Sequence, residues 1–200
     1  MRRTVALLLF DEVEVLDFAG PFEVFAVTDE LSGHQLFRVV TVAPEQRPLR
    51  ARNGLSVNPD YSLGDCPRPD ILVIPGGQGT RALLKNPAVL DWIRTVNSAA
   101  EIVASVCTGA LVLGRAGLLD GLRATTHHEC FGLLREHAPR ATVVETARFT
   151  DNGRILTAAG ISAGLDLSLH LVARLHGAAV AEKTARYMEY DWSGGQAVTS

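Results

Sequence analysis

The residue in this 200-residue chain best placed to do chemistry is Cys107. It ends an apolar run of strand length, Ile102–Val106, and a small-residue helix follows at once over Thr108–Ala116. Ser105 and Gly109 lie two residues before and two after it. Small neighbours at that spacing permit the tight strand–turn–helix bend of a nucleophile elbow. A cysteine on such a bend feels the positive end of a helix, which favours its thiolate. Nearby backbone N–H groups can hold an anion. The pattern therefore predicts a low-pKa, accessible Cys107 that oxidises before Cys66 and Cys130. A buried, inert core thiol is the bland alternative, and it would make the spacing an accident.

Three other segments supply partners. Val15-Leu16-Asp17-Phe18-Ala19-Gly20-Pro21 places an acid, Asp17, in a turn between the first strand and the first helix. Alone, Asp17 would read as a turn or N-cap residue. Glu12 and Glu14 read as solvated competitors, and Glu23 as a first-turn helix residue. Pro75-Gly76-Gly77-Gln78-Gly79 follows the run Ile71–Ile74. Its glycines let backbone amides approach a ligand, and beside a nucleophile Gly76 and Gly77 become candidate oxyanion donors. No Gly-Lys-Ser/Thr follows, so this is not a phosphate-binding loop. In Thr125-Thr126-His127-His128-Glu129, adjacent histidines point apart and no third ligand is spaced to join them, so no metal site is expected. His127 is instead a candidate for lining the Cys107 pocket, and Gly20 joins it in the expected substrate-binding set. Cys66, before Pro67, and Cys130, beside Phe131, have no elbow around them and read as structural.

Positioning these residues requires alternating strands and helices. Strands are expected at Thr4–Phe10, Leu36–Ala43, Ile71–Ile74 and Ile102–Val106, with shorter ones at Leu55–Asn58 and Arg123–Thr125. Helices are expected at Phe22–Leu31, opened by Pro21, and over Thr80–Ala100, where Pro87 starts a second one. Further helices are expected at Cys130–His137, Ser162–His176 and Ala178–Tyr190. Thr142–Thr150 and Arg154–Ala158 read as a hairpin around Asp151-Asn152-Gly153. The last ten residues read as a tail that packs on a partner. Buried strands separated by helices imply a parallel sheet covered on both faces. The expected fold is thus a doubly wound α/β sandwich, flavodoxin-like, with one late hairpin, in a single domain over 1–200. In such sheets ligands sit beyond the carboxyl ends of the strands. Asp17, Gly76 and Cys107 should meet there.

Composition excludes several classes. With 47% hydrophobic residues the chain can bury a core and is not intrinsically disordered. A net charge of −3 lacks the basic excess of a nucleic-acid binder. No basic cluster suggests a membrane surface, and no apolar run approaches the ~20 residues needed to span one. Arg2 and Arg3 precede Val5–Phe10, but Asp11 and Glu12 stop the run too early for an export signal. Three widely spaced cysteines form no disulfide framework and fit a reducing, cytoplasmic compartment.

The Asp17 turn, the IPGG loop, the ASVCTGALVLGRAGLLDG elbow and the TTHH segment together resemble the DJ-1/PfpI superfamily. The resemblance runs from Thr4 to about Met188. Its isonitrile hydratase branch looks most similar: Asp rather than Glu at position 17, the context LDFAGPFEVF, the pair Cys107-Thr108, and the late GISAGLDLSLHLV. The PfpI-type peptidases are expected to carry His where this chain has Thr108. DJ-1 itself carries Glu at the Asp17 position. No late His-x-Glu of a glutamine amidotransferase follows His137, and 200 residues leave no room for the helix-turn-helix module of related regulators. The resemblance implies hydration of an isonitrile to an N-substituted formamide without a cofactor. Cys107 would be the nucleophile, Asp17 the proton shuttle, and Thr108 would hold substrate or water. It also implies a homodimer. A redox or stress sensor, or a glyoxalase or deglycase acting on reactive carbonyls, would use the same cysteine.

Overall fold

The computed structural model describes residues 2–194 and the backbone of 198 and 199. Its strands are β1 (Arg3–Leu8), β2 (Phe37–Ala43), β3 (Leu49–Arg50), β4 (Ser56–Val57), β5 (Tyr61–Ser62) and β6 (Ile71–Ile74). They continue with β7 (Ile102–Val106), β8 (Arg123–Ala124), β9 (Thr142–Val143), β10 (Phe149–Asp151), β11 (Ile155–Ala158) and β12 (Val198–Thr199). The helices are α1 (Val15–Leu31), α2 (Thr80–Leu83), α3 (Pro87–Asn97), α4 (Gly109–Arg115), α5 (Phe131–His137), α6 (Ala163–His176) and α7 (Ala178–Tyr187).

Eight strands form the main sheet, in the order β12-β10-β11-β7-β6-β1-β2-β5. All its neighbouring strands pair parallel except β10 and β11. β6 and β7 are buried at every residue, as strands covered on both faces must be. Their side chains alternate between two cores. Leu72, Ile74 and Val103 join a cluster with Val89, Ile93, Leu111 and Leu134 of α3, α4 and α5. Ile71, Val73 and Ile102 join another with Phe25, Leu167 and Ala181 of α1, α6 and α7. This is the expected doubly wound sandwich with its late hairpin.

The hairpin turn is closed by Asp151, whose Oδ1 accepts from the Gly153 N–H at 2.7 Å. Gly153 has φ 82° there, a left-handed value that glycine adopts without strain. Pro87 opens α3 as expected, and the Asn86 side chain caps it.

Three local expectations differ. Asp17–Pro21 is not a turn, because α1 starts at Val15 and runs through Pro21. Proline has no N–H, so the Asp17 carbonyl loses its usual helix partner without the helix ending. The real turn is Glu12–Glu14: Glu12 has φ 61°, and the Glu14 N–H donates to the Gly76 carbonyl at 2.9 Å. Asp17, not Glu23, therefore occupies the first turn. Secondly, Thr142–Thr150 is not one strand, since β9 pairs with β8 in a separate two-stranded sheet. Thirdly, part of the expected tail, Val198–Thr199, lies parallel to β10 as an edge strand. Residues 195–197 and 200 are outside the described residues.

Candidate active site

The start of α1, the β6–α2 loop and the β7–α4 turn converge beyond the carboxyl ends of the central strands. Cys107 sits on that last turn with φ 56°. A non-glycine residue in this region costs free energy and persists only where its surroundings fix it. The Cys107 N–H donates to the Ala158 and Ala159 carbonyls, both at 3.1 Å. Its carbonyl accepts from Thr126 Oγ1 at 2.8 Å. The predicted elbow is therefore present, and β11 and the Thr125–Thr126 segment hold it. Gly109 is required by close packing: a Cβ there would lie 2.0 Å from the Ile74 carbonyl oxygen.

Asp17 is fully buried. Its Oδ2 accepts from the Gly76 N–H at 2.9 Å, while Oδ1 has no hydrogen-bond partner among the described residues. Burial pushes its carboxyl up to about 7, nearby Glu14 adds to this, and the Gly76 N–H opposes it. Cys107 behaves differently from expectation. Burial, and then the neighbouring Asp17 carboxylate, push its thiol up to about 12, against the help of the Thr108 N–H. Loss of solvent around the sulfur outweighs the short α4 dipole. The thiol and the carboxyl thus act on each other, and the thiol keeps its proton until a base or a substrate removes it.

Thr108 is held by the glycine loop. Its Oγ1 accepts from the Gly77 N–H at 3.0 Å and from Thr80 Oγ1 at 3.3 Å. A Cβ on Gly76 would lie 2.5 Å from the Thr108 nitrogen and 2.9 Å from Asp17 Oδ2. The two glycine amides expected to face an oxyanion are thus already bonded, one to Asp17 and one to Thr108. In this state they position the acid and the threonine.

A cavity of about 190 Å³ opens over the elbow, lined by Cys107, Thr108, Gly77 and His127 among others. His127 is where it was expected, its ring packed on Gly160 and its Nδ1 accepting from the Glu129 N–H at 3.3 Å. Gly20 is not at the site. It lets α1 approach α6, since a Cβ there would meet Leu165 Cδ2 at 3.3 Å. The cavity also contains residues the sequence did not single out as lining it: Glu14, Arg52, Arg81 and Cys130. Arg81 Nη1 donates to the Gly77 carbonyl at 3.3 Å and to Thr80 Oγ1 at 3.1 Å, and Nη2 lies 3.9 Å from Cys130 Sγ. Cys130 is therefore a pocket residue as well as a packing one. Cys66 lies elsewhere, beside Pro67 and Trp92. Among the described residues no group of three or more His, Cys, Asp or Glu could hold a metal ion.

A doubly wound sheet whose central strand ends in a strained cysteine, with a buried carboxyl beside it, defines a cysteine-elbow α/β protein. Residues 3–174 match the DJ-1/PfpI family, and the chain belongs to that family. Isonitrile hydratase of Pseudomonas putida is 35% identical to it over 190 residues, 95% of this chain and 79% of that protein. The HTH-type transcriptional regulator GbdR of Pseudomonas aeruginosa is 30% identical over 175 residues. That match spans 88% of this chain and 47% of the regulator, so the chain covers about half the regulator's length. Among solved structures, a ThiJ/PfpI family protein from Pseudomonas syringae has a TM-score of 0.86 at 31% identity, covering 96% of this chain and 76% of that one. Drosophila melanogaster DJ-1beta shares the fold, with a TM-score of 0.83 at 19% identity over 96% of this chain and all of its own.

Proposed function

We propose that the protein is a cysteine-dependent isonitrile hydratase, converting R–N≡C and water to R–NH–CHO. The observation that carries this reading is the buried pair of the Cys107 thiol and the Asp17 carboxyl, whose Oδ1 is left free. Cys107 sulfur attacks the terminal isonitrile carbon. The thiol proton passes through Asp17 to that carbon, giving the thioimidate R–N=CH–S–Cys107. Water then adds to the same carbon, and Asp17 accepts one of its protons and hands it to the nitrogen, giving R–NH–CH(OH)–S–Cys107. The carbon–sulfur bond breaks, the hydroxyl proton returns through Asp17 to sulfur, and the formamide leaves. A covalent intermediate divides one hard step into two easier ones. Thr108 holds substrate or water through its hydroxyl, Gly77 and His127 flank it, and Gly76 fixes Asp17. No cofactor enters this scheme.

The 35% identity to isonitrile hydratase favours this enzyme over a carbonyl-directed one. In the same reading the protein works as a cytoplasmic homodimer, with exposed Leu16 and Phe22 of α1 offering apolar surface to a second copy. No helix among the described residues is long and apolar enough to cross a membrane. The test is stoichiometry. Purified, reduced protein given excess cyclohexyl isocyanide should release many moles of N-cyclohexylformamide per mole of protein. At most one modification per chain, with no formamide, would overturn the reading.

A further inference from the structure

Arg81 lines the same cavity as Cys107 and Thr108, and among the described residues no carboxylate lies within salt-bridge distance of it. Of the other charged groups on that wall, Arg52 has a carboxylate neighbour, and exposed Glu129 has only histidines near it. Arg52 Nε lies 4.0 Å from Glu14 Oε2, and Glu129 lies 4.0 Å from both His127 Nδ1 and His128 Nε2. Arg81 Nη1 is anchored by the Gly77 carbonyl and Thr80 Oγ1. Among the described residues Nη2 has only the Cys130 sulfur as a partner, at 3.9 Å, and Nε makes no hydrogen bond. Sulfur is a weak acceptor, so one edge of a fixed guanidinium fork is open. That edge matches a planar carboxylate in a two-bond geometry. The cavity, about 190 Å³, is smaller than the ~300–1,000 Å³ that takes drug-sized ligands.

From this arrangement we propose that Arg81 binds a carboxylate on the substrate, making small isocyano acids the preferred isonitriles. The assignment of the reacting group rests on the hydratase reading, whereas the carboxylate site does not. Arg81 is then the specificity residue. It holds the far end of the molecule while Cys107 meets the isonitrile carbon.

The test compares isocyanoacetate with its neutral methyl ester. The wild-type protein should prefer the acid in kcat/KM by roughly 10–100-fold, the value of a charge-assisted contact. Arg81→Met should bring the acid-to-ester ratio close to one, mainly through KM for the acid, and Arg81→Lys should recover part of it. Taking the ratio within each variant cancels any loss of folded protein. A wild-type preference for the ester, or a ratio unchanged in Arg81→Met, overturns the proposal while leaving the hydratase reading intact. If neither compound is hydrated although cyclohexyl isocyanide is, the proposal is overturned; if none of the three is hydrated, the hydratase reading fails and calorimetry decides the carboxylate site. Binding of N-formylglycine but not its methyl ester, lost in Arg81→Met, supports it. Equal binding of both, or of neither, overturns it.

Discussion

Asp17 near 7 and Cys107 near 12 form one titrating pair, whose first proton leaves around neutrality and whose second is held far above it. The singly protonated pair is the form that can move a proton from sulfur to carbon. The rate, measured as kcat/KM for cyclohexyl isocyanide, should rise about tenfold for each pH unit below 7 and level off above it. A profile flat from pH 5 to 8 would contradict this assignment. Asp17→Asn should lower kcat by roughly 10²–10⁴-fold. The same carboxyl makes a stability prediction. Its folded pKa lies above the ordinary 3.8, so its contribution is present below about pH 4 and lost as pH rises through 7. Asp17→Asn should remove that slope and unfold at higher denaturant than wild type at pH 8, by at most about 4 kcal/mol. The same change in urea midpoint between pH 4 and pH 8 for wild type and Asp17→Asn would refute it. At this level the sequence was informative about identity and poor about environment. Cys107 stands out by type and spacing, Asp17 through the topology that brings its segment beside the elbow, and Thr108 only through the family resemblance. The raised thiol, and the pocket roles of Arg81, Glu14 and Cys130, arise from packing between segments far apart in the chain, which no local pattern records.

The turns that present these side chains depend on close approach. Gly109 lets α4 start against the Ile74 carbonyl, and Gly76 lets the loop touch both Thr108 and Asp17. Gly109→Ala should destabilise the fold by about 1–3 kcal/mol, read from the urea midpoint, because backbone rather than a flexible side chain stands in the way. An unchanged midpoint would show that β6 and α4 can separate freely. Apolar runs and the Asp-Asn-Gly turn made the buried strands and the hairpin legible. The start of α1 was not, because Pro21 signals a helix opening while the Gly76 carbonyl, from another loop, fixes the true turn at Glu14. Gly20 was misplaced for the same reason: its small size serves the α1–α6 contact with Leu165.

Across the molecule, β6 and β7 divide two cores, and the site lies at one end of the strands they share. That architecture was readable from strand–helix alternation alone, since buried parallel strands need helices on both faces. A homodimer is implied only by resemblance, as nothing in periodicity reports a second copy. Light scattering should give twice the 21.5 kDa chain mass, and Leu16→Glu with Phe22→Glu should shift it toward the monomer. A wild-type monomer would refute the dimer. Covalent hydration at Cys107 is the step on which turnover depends. The measurement that tests it most directly is formamide production from cyclohexyl isocyanide by wild type and Cys107→Ala at pH 8, with folding checked by circular dichroism. Multiple turnovers in wild type and none in the folded variant are the predicted result. Turnover that survives Cys107→Ala would contradict it.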